Sequence, residues 1–417
     1  MKNPPFLPSL FLSTLSALTL SAQADALLDM INQGHADADL RYRIESVSQD
    51  NALKDARAST ARLRAGYETG DYHGLYVDGA VQSLGVVGQD FYNSTSNGKT
   101  GYATVADPAI TEVDQLFLGY HGLPANDFKY GRQRLQLDNE RYIGNVGWRQ
   151  IEQTFDAATW VNHNLPQTTL TVAYLYKIHR VFGDYVTTPA GQFGSRSPLF
   201  NLAYTGLPGT QVVVYDYLVD LTTVGAPLLP AYQSTRSRGL RLSGSQPLAQ
   251  ATHLLYTAEA ALQSNGLDND HAFEVHYSFY EAGIDSHGFS LKLSREQLGS
   301  NGQVAFQTPL ATLHAFNGWA DMFLQTPQAG LVDRFVTLGS TLDETPVALI
   351  YHDFRADQGG AHFGSEIDAQ VTHNFGRHYV LGAALGAYHN IDLIKATAYA
   401  PATPSTTKAW VWVEMKL

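Results

Sequence analysis

Asp37-Ala38-Asp39-Leu40-Arg41-Tyr42-Arg43-Ile44-Glu45 is a stretch in which every second residue is apolar and every residue between is charged. Successive side chains of an extended chain point to opposite faces, so the segment reads as a strand with one oily and one ionised face. The pattern returns far along the chain. Ala61, Leu63, Ala65 and Tyr67 alternate with Arg62, Arg64, Gly66 and Glu68. Phe273, Val275, Tyr277 and Phe279 alternate with Glu274, His276, Ser278 and Tyr280, and Phe289, Leu291 and Leu293 with Ser290, Lys292 and Ser294. Near the end, Ile367, Ala369 and Val371 alternate with Glu366, Asp368, Gln370 and Thr372.

A soluble β-sandwich alternates too, so two further features set the environment. The segments run about 9–13 residues, against ~5–6 in soluble sheets, a length matched to a tilted membrane strand. Connections alternate between tight and long. Tight ones fall at Thr69-Gly70-Asp71, Leu123-Pro124-Ala125-Asn126, Leu165-Pro166-Gln167, Gly206-Leu207-Pro208-Gly209 and Gly376-Arg377. Long ones cover 85–111, 138–150, 181–196, 298–330 and 390–407. Short periplasmic turns and long extracellular loops mark outer-membrane barrels. The fold class expected is therefore all-β, a transmembrane antiparallel barrel of about 18 strands, an even count that leaves both ends on the periplasmic side. A count of about 16 competes, because the segments near 197–205 and 331–340 alternate poorly.

Composition agrees. The chain has 23 Tyr, 19 Phe and 36 Gly, and only 16% of its residues are charged. Beyond residue 24 no run of 18 apolar residues exists, which removes transmembrane helices. There is no cysteine, so thiolate metal sites and cysteine nucleophiles are excluded. The net charge of −12, with no basic stripe, argues against nucleic acid as a partner. Residues 1–24 have the layout of a secretory signal peptide, with Lys2, an apolar Phe6–Leu20 and the small-x-small site Ala22-Gln23-Ala24. A retained N-terminal anchor is the alternative, and residues 25–417 form one barrel domain. At the far end Ala409, Val411, Val413, Met415 and Leu417 alternate with Trp410, Trp412, Glu414 and Lys416, which resembles the assembly signal of outer-membrane proteins. That signal usually closes on Phe, and here the last residue is Leu417.

Two stretches resemble the alginate export family of outer-membrane channels. The first is Tyr130-Gly131-Arg132-Gln133, continuing through Asn139-Glu140-Arg141-Tyr142-Ile143-Gly144 and Gly147-Trp148-Arg149-Gln150 to Thr154-Phe155-Asp156. The second is Thr308-Pro309-Leu310-Ala311-Thr312-Leu313-His314-Ala315-Phe316-Asn317-Gly318-Trp319-Ala320-Asp321. The resemblance implies a monomeric barrel and the passage of an anionic polyuronate through an arginine-rich pore. The family is broad, and many members look like porins for other solutes.

Candidate pore residues follow from face and chemistry. Arg41, Arg43, Arg62 and Arg64 share the polar faces of two adjacent strands. Arg132 and Arg134 share a face, and Arg149, like Arg141, sits in the following loop. Guanidinium groups bind carboxylates through paired hydrogen bonds, which suits a uronate or another anion. The alternative is cross-strand pairing with Asp37, Asp39, Glu45 and Glu68, which lie on the same faces. Glu274, Glu366, Asp368 and Asp216 also face inward by parity. The segment 298–330 is apolar for an extracellular loop, and 310–324 has loose helical spacing. It either folds inward as a pore loop, with His314, Asn317 and Asp321 facing solute, or packs over the rim as a lid. Tyr67, Tyr72, Tyr76, Tyr120, Tyr174, Tyr176, Tyr215 and Tyr217 read as interfacial anchors.

Nothing in the motifs indicates an enzyme. There is no Gly-x-Ser-x-Gly elbow, no His-Glu-x-x-His and no phosphate-binding Gly loop. The 15 histidines are scattered, and no cofactor or metal is expected. The sequence thus indicates a passive outer-membrane channel resembling alginate exporters and passing an anionic polysaccharide or other anionic solute. The alternative is a porin for uptake of small nutrients. The surrounding partners are outer-membrane lipid and lipopolysaccharide.

Overall fold

The structure, a computed structural model, describes residues 25, 28–222, 234–267, 269, 271–390 and 403–417. The strands are β1 (His35–Gln49), β2 (Ala56–Glu68), β3 (Leu75–Phe91), β4 (Ile110–Tyr120), β5 (Asn126–Gln133), β6 (Thr154–Asn162), β7 (Thr168–His179), β8 (Gln192–Leu207) and β9 (Thr210–Thr222). They continue as β10 (Ser234–Ala249), β11 (Thr252–Asn265), β12 (Glu274–Ser286), β13 (Phe289–Leu298), β14 (Leu331–Leu342), β15 (Thr345–Arg355), β16 (His362–Phe375), β17 (Tyr379–His389) and β18 (Thr406–Lys416). Each pairs antiparallel with its neighbours in sequence, and β1 pairs with β18 from Asp39↔Lys416 to Gln49↔Thr406. The sheet is a closed, 18-stranded barrel. Closure leaves no edge, the condition that a lipid environment imposes on a β-structure.

The count is 18, because the weakly alternating segments are strands β8 and β14. Their alternation fades for a physical reason: the inner faces are apolar as well. Leu199 on β8 and Leu331 on β14 are buried inside, while Phe200 and Leu338 are exposed outside. The expected loops shift accordingly. β3 continues to Phe91, so its loop is 92–109, and β8 begins at Gln192, so the loop before it is 180–191. The loop expected at 138–150 spans 134–153. Residues 391–402 of the last expected loop lie outside the described residues.

Face assignments hold on β1 and β2, where Arg41, Arg43, Glu45, Arg62 and Arg64 are buried inside and Leu40, Ile44 and Leu63 are exposed outside. On β12 the expected facing is reversed. Val275 and Tyr277 are buried inside, while Glu274 and His276 are outside, in line with the exposed Tyr280 and Ile284. The apolar face turns inward there because it meets other apolar groups inside the barrel. The same cause places Tyr215 and Tyr217 inside on β9, and therefore Asp216 outside. Tyr76 also faces inward and is no interfacial anchor, whereas Tyr67, Tyr72 and Tyr174 are exposed. Glu366 and Asp368 are inside, as expected.

Gly131 interrupts β5. Its φ is +132°, and a Cβ there would collide with the Leu116 carbonyl oxygen, so only glycine suits this crossing of β4. Beyond it the chain ends its strand and turns into the barrel.

The β12 register is directly testable, because the chain has no cysteine to interfere. In vesicles carrying a bilayer-phase quencher, a fluorophore attached to Y280C is expected to be quenched and one attached to Y277C to be protected. The opposite order would place the aromatic face of β12 in lipid.

Candidate functional site: a lumen filled by two loops

A barrel of this size is too wide for its own side chains to fill. Two extracellular connections, 134–153 and 299–330, enter it instead. They meet inside, where the Gly144 N–H donates to the Leu310 carbonyl (2.9 Å) and the Thr312 N–H to the Glu140 carbonyl (3.1 Å). Ile143, Phe306 and Leu310 are fully buried where the loops touch. The loops reach wall positions far apart around the barrel. Loop 134–153 contacts β1 and β2 on one side and β8 and β9 on another. Loop 299–330 contacts β11, β13, β14, β16 and β18.

The arginine ladder fastens loop 134–153. Arg41 Nε donates to Gln150 Oε1 (2.8 Å), and its terminal nitrogens donate to the carbonyls of Gly147 and Arg149. Arg43 donates to the Trp148 carbonyl (2.8 Å) and to Asp107 (2.7 Å). A guanidinium offers five donors in a fixed fork, so one side chain can hold several carbonyls of a loop that has no ladder of its own. Arg62 pairs with Asp39 and Glu414, and Arg64 with Asp114 and Glu152. Arg134, just past the end of β5, joins the same two acids, Asp114 and Glu152. Asp37 and Glu68, offered by the sequence as partners, take no part in these ion pairs. Asp39 and Glu45, offered with them, do take part, Asp39 with Arg62 and Glu45 with Arg43 and Arg149. The other acids, Asp107, Asp114, Glu152 and Glu414, come from β4, β18 and the loops, which strand parity on β1 and β2 had no means of indicating.

Arg132 does not share a face with Arg134. It lies opposite Leu116, an exposed wall residue, and so faces outward. Its Nε meets Asp156 at 3.2 Å, and Asp184 lies 3.7 Å from its Nη1. Parity fails because Gln133 is the last strand residue and the chain bends inward before Arg134.

Arg149 sits at the centre. It pairs with Glu45 (3.1 Å) and Asp321 (3.6 Å), and its guanidinium carbon lies 4.1 Å from the Trp148 ring centre. Asp321 of the other loop also takes Lys408 of β18 (2.6 Å) and His314 (2.8 Å). Burial alone would raise the Asp321 carboxyl, but Lys408, His314 and Arg149 together hold it below its ordinary value. Burial pushes the His314 imidazole down, against the pull of Asp321, so at neutral pH it is uncharged and donates its Nδ1 proton to that carboxylate. Its ring stacks on Trp148 with centroids 3.4 Å apart.

The remaining contacts fix loop 299–330 to the opposite wall. Arg141 pairs with Glu296 (2.8 Å) and donates to Asn317 (3.1 Å), which itself donates to Glu296 (2.6 Å). The backbone N–H groups of Trp319 and Ala320 donate to Asp368 (3.2 Å) and Glu366 (2.6 Å). Gly318 (φ +86°) makes this approach feasible, since a Cβ would strike the Glu366 carboxylate. Beside it Tyr142 packs among Tyr215, Tyr217, Tyr277 and Phe306, with ring centroids 4.9–6.1 Å away. This aromatic cluster is what draws the apolar faces of β9 and β12 inward.

The second loop therefore folds inward, and its helical spacing yields only one 3-10 turn, Leu313–Ala315. Asn317 and Asp321 do not face solute. Both are buried fasteners between loop and wall. Loop 134–153 was the element that sequence reading passed over as a pore loop. Its apolar Leu135, Leu137, Ile143 and Ile151 are the same signal that marked 298–330. Of the expected arginines, Arg134 keeps the most side-chain exposure on the lumen side, 27%, against 10% for Arg64, 8% for Arg149 and 1% for Arg62.

No protein-family model matches the sequence, and no curated protein does. Solved structures do match. The crystal structure of Pseudomonas aeruginosa OpdK with vanillate aligns with a TM-score of 0.69 at 12% identity, over 93% of this chain and 99% of that one. Acinetobacter baumannii OccAB2 gives 0.72 at 11% identity, over 93% and 99%. Pseudomonas aeruginosa OccK3 (OpdO) gives 0.70 at 11% identity, over 95% and 98%. The alginate export family finds no support among these neighbours, whereas the porin-like barrel does. The chain has the fold of these barrels along nearly its whole length.

Proposed function

We propose that the chain is a passive outer-membrane porin that admits small solutes, with no catalytic chemistry. The observation that carries this reading is the meeting of two loops inside the barrel, each tied to the wall by charged side chains. A polyuronate would need an open basic track. Here the basic ladder is sheathed by loop carbonyls and by Asp39, Asp107, Asp114 and Glu152. A small molecule needs only a gap beside the loops, lined by a few groups with spare donors. Arg134 is one, and Lys129 and Lys292 are others, with side chains 34% exposed. A small carboxylate is the solute class these cations favour, and one of the barrels of like fold was crystallised with vanillate. Because most wall charges are matched, ion selectivity is expected to be weak.

Three measurements in planar bilayers test this. Deleting 303–325 is expected to raise single-channel conductance severalfold. An unchanged conductance would mean that the loop does not set the constriction. A KCl gradient is expected to give a zero-current potential close to zero, with R134A moving it toward potassium. A strong chloride preference in the unaltered protein would instead revive the polyuronate reading.

The third is acidity. Asp321 titrates below its ordinary value of 3.8, so the fastening it provides is complete above that pH and is lost only as acid passes through the lower, folded value. Conductance is therefore expected to hold steady from neutral pH to about 4 and to rise only in stronger acid. D321N, which leaves Arg149 and Lys408 without their buried carboxylate at a cost of about 3–5 kcal/mol, is expected to open the loop at neutral pH. Noise and conductance identical to the unaltered channel would show that Asp321 does not hold the constriction.

A further inference from the structure

Two groups of outward basic residues, on β8–β10 and on β13–β14, differ in their surroundings. On β8–β10, Arg196 meets Asp220 (2.8 Å), while Arg236 and Arg238 meet Asp216 (2.5 and 3.6 Å). On β13 and β14, Arg295 and Arg334 are direct cross-strand partners. They share the outward face with exposed Leu293 and Leu338. Like charges directly opposite one another destabilise a strand pair. Among the described residues, no ion pair to the neighbouring strands offsets this repulsion. Arg295 donates only to Gln297 (2.9 Å), and among the described residues no carboxylate lies within ion-pair distance of either guanidinium. Asp353, opposite Arg334 on β15, is turned instead to Arg355 (2.9 Å) and His362 (2.8 Å). Glu296 and Asp333 lie on the inner face of the same strands but are taken by Arg141 (2.8 Å) and His352 (3.0 Å).

The level of the pair matters as much as its charge. Outward residues below it are apolar: Leu293, Leu291 and Phe289 on β13, and Val336 and Leu338 on β14. Tyr280, the partner of Arg295 on β12, and Tyr351 on β15 are exposed aromatic residues at the top of that band. Aromatic girdles mark the two interfaces of such barrels, so the arginines stand where the headgroups of the outer leaflet begin. A phosphate there accepts from two guanidinium groups at once and cancels their repulsion.

We infer that Arg295 and Arg334 form a binding site on the lipid-facing wall for a phosphate of the outer-leaflet glycolipid, lipopolysaccharide. The acyl chains of that lipid lie against Leu293 and Val336, and Arg355 flanks the headgroup. This site rests on the outer-membrane reading above.

The test is native mass spectrometry of the full-length refolded protein in detergent, titrated with bisphosphorylated lipid A, its dephosphorylated counterpart and phosphatidylglycerol. The expected result is preferential retention of one bisphosphorylated lipid A. R295Q/R334Q is expected to weaken it roughly tenfold, the scale of one or two charge-assisted hydrogen bonds. R196Q/R238Q, altering arginines already paired with acids, is expected to leave it unchanged. R334Q alone serves if the double variant loses its heat-modifiable mobility on gels, and is expected to weaken retention by a smaller factor. Undiminished binding by the folded variants, equal binding of the dephosphorylated lipid, or equal binding of phosphatidylglycerol would each overturn the site. Failure to insert into vesicles and pass solutes would count against the porin reading instead, whereas a conducting protein without lipid A preference would sink this inference alone.

Discussion

Hydrocarbon offers a peptide group no hydrogen-bond partner, and the rest of this structure follows from that constraint. Strands solve it only when the last pairs with the first, as β18 does with β1. Closing so many strands forces a diameter that side chains alone leave open. The inner wall must then be wetted or covered, and in this chain two loops cover much of it. Each loop carries unpaired backbone groups into the interior, where every one needs a donor or acceptor. Arg41, Arg43, Glu366 and Asp368 supply them. The charged inner faces of the strands are therefore a scaffold for loop backbone first, and keep solvent contact only where the loops leave them free.

The same logic explains why acids and bases are matched so closely inside. A buried charge without a partner is far more costly than one that is paired and hydrogen-bonded. Arg62 and Arg64 are nearly inaccessible, and each meets two carboxylates. What separates wall from pore is the residue that keeps solvent contact after the loops are in place. Arg134 and Lys129 do so on one side, and Lys292 on another.

Much of the architecture was legible because period-two alternation is a local property. The β1 and β2 arginines, the outward Leu293 and Ile367, and the tight turns could all be placed from their neighbours in the chain. Legibility ended where a face was decided by something distant. Tyr215 and Tyr277 read as outward residues, since apolar groups on a membrane strand normally meet lipid, yet Tyr142 draws both inward across the lumen. Asp216 then fell on the outside by the same reversal. Gly131 and the bend after Gln133 separated Arg132 from Arg134, a change of direction that residue spacing does not record. The groups that answer the arginines lie far off in the chain, Gln150 109 positions from Arg41 and Glu414 352 from Arg62, and no local pattern joins them.

The fastening of the two loops has a consequence for how the molecule comes into being. Asp321 is held by Arg149, from the first half of the chain, and by Lys408, from its final strand. Neither loop has its full set of attachments until β18 has been added and the wall has closed. A chain interrupted before that point would be an open sheet with a free edge and loosely held loops, while in the finished one both loops are fastened from the moment the wall closes. The last strand thus acts as a quality seal: the same event that removes the exposed edge also locks the passage.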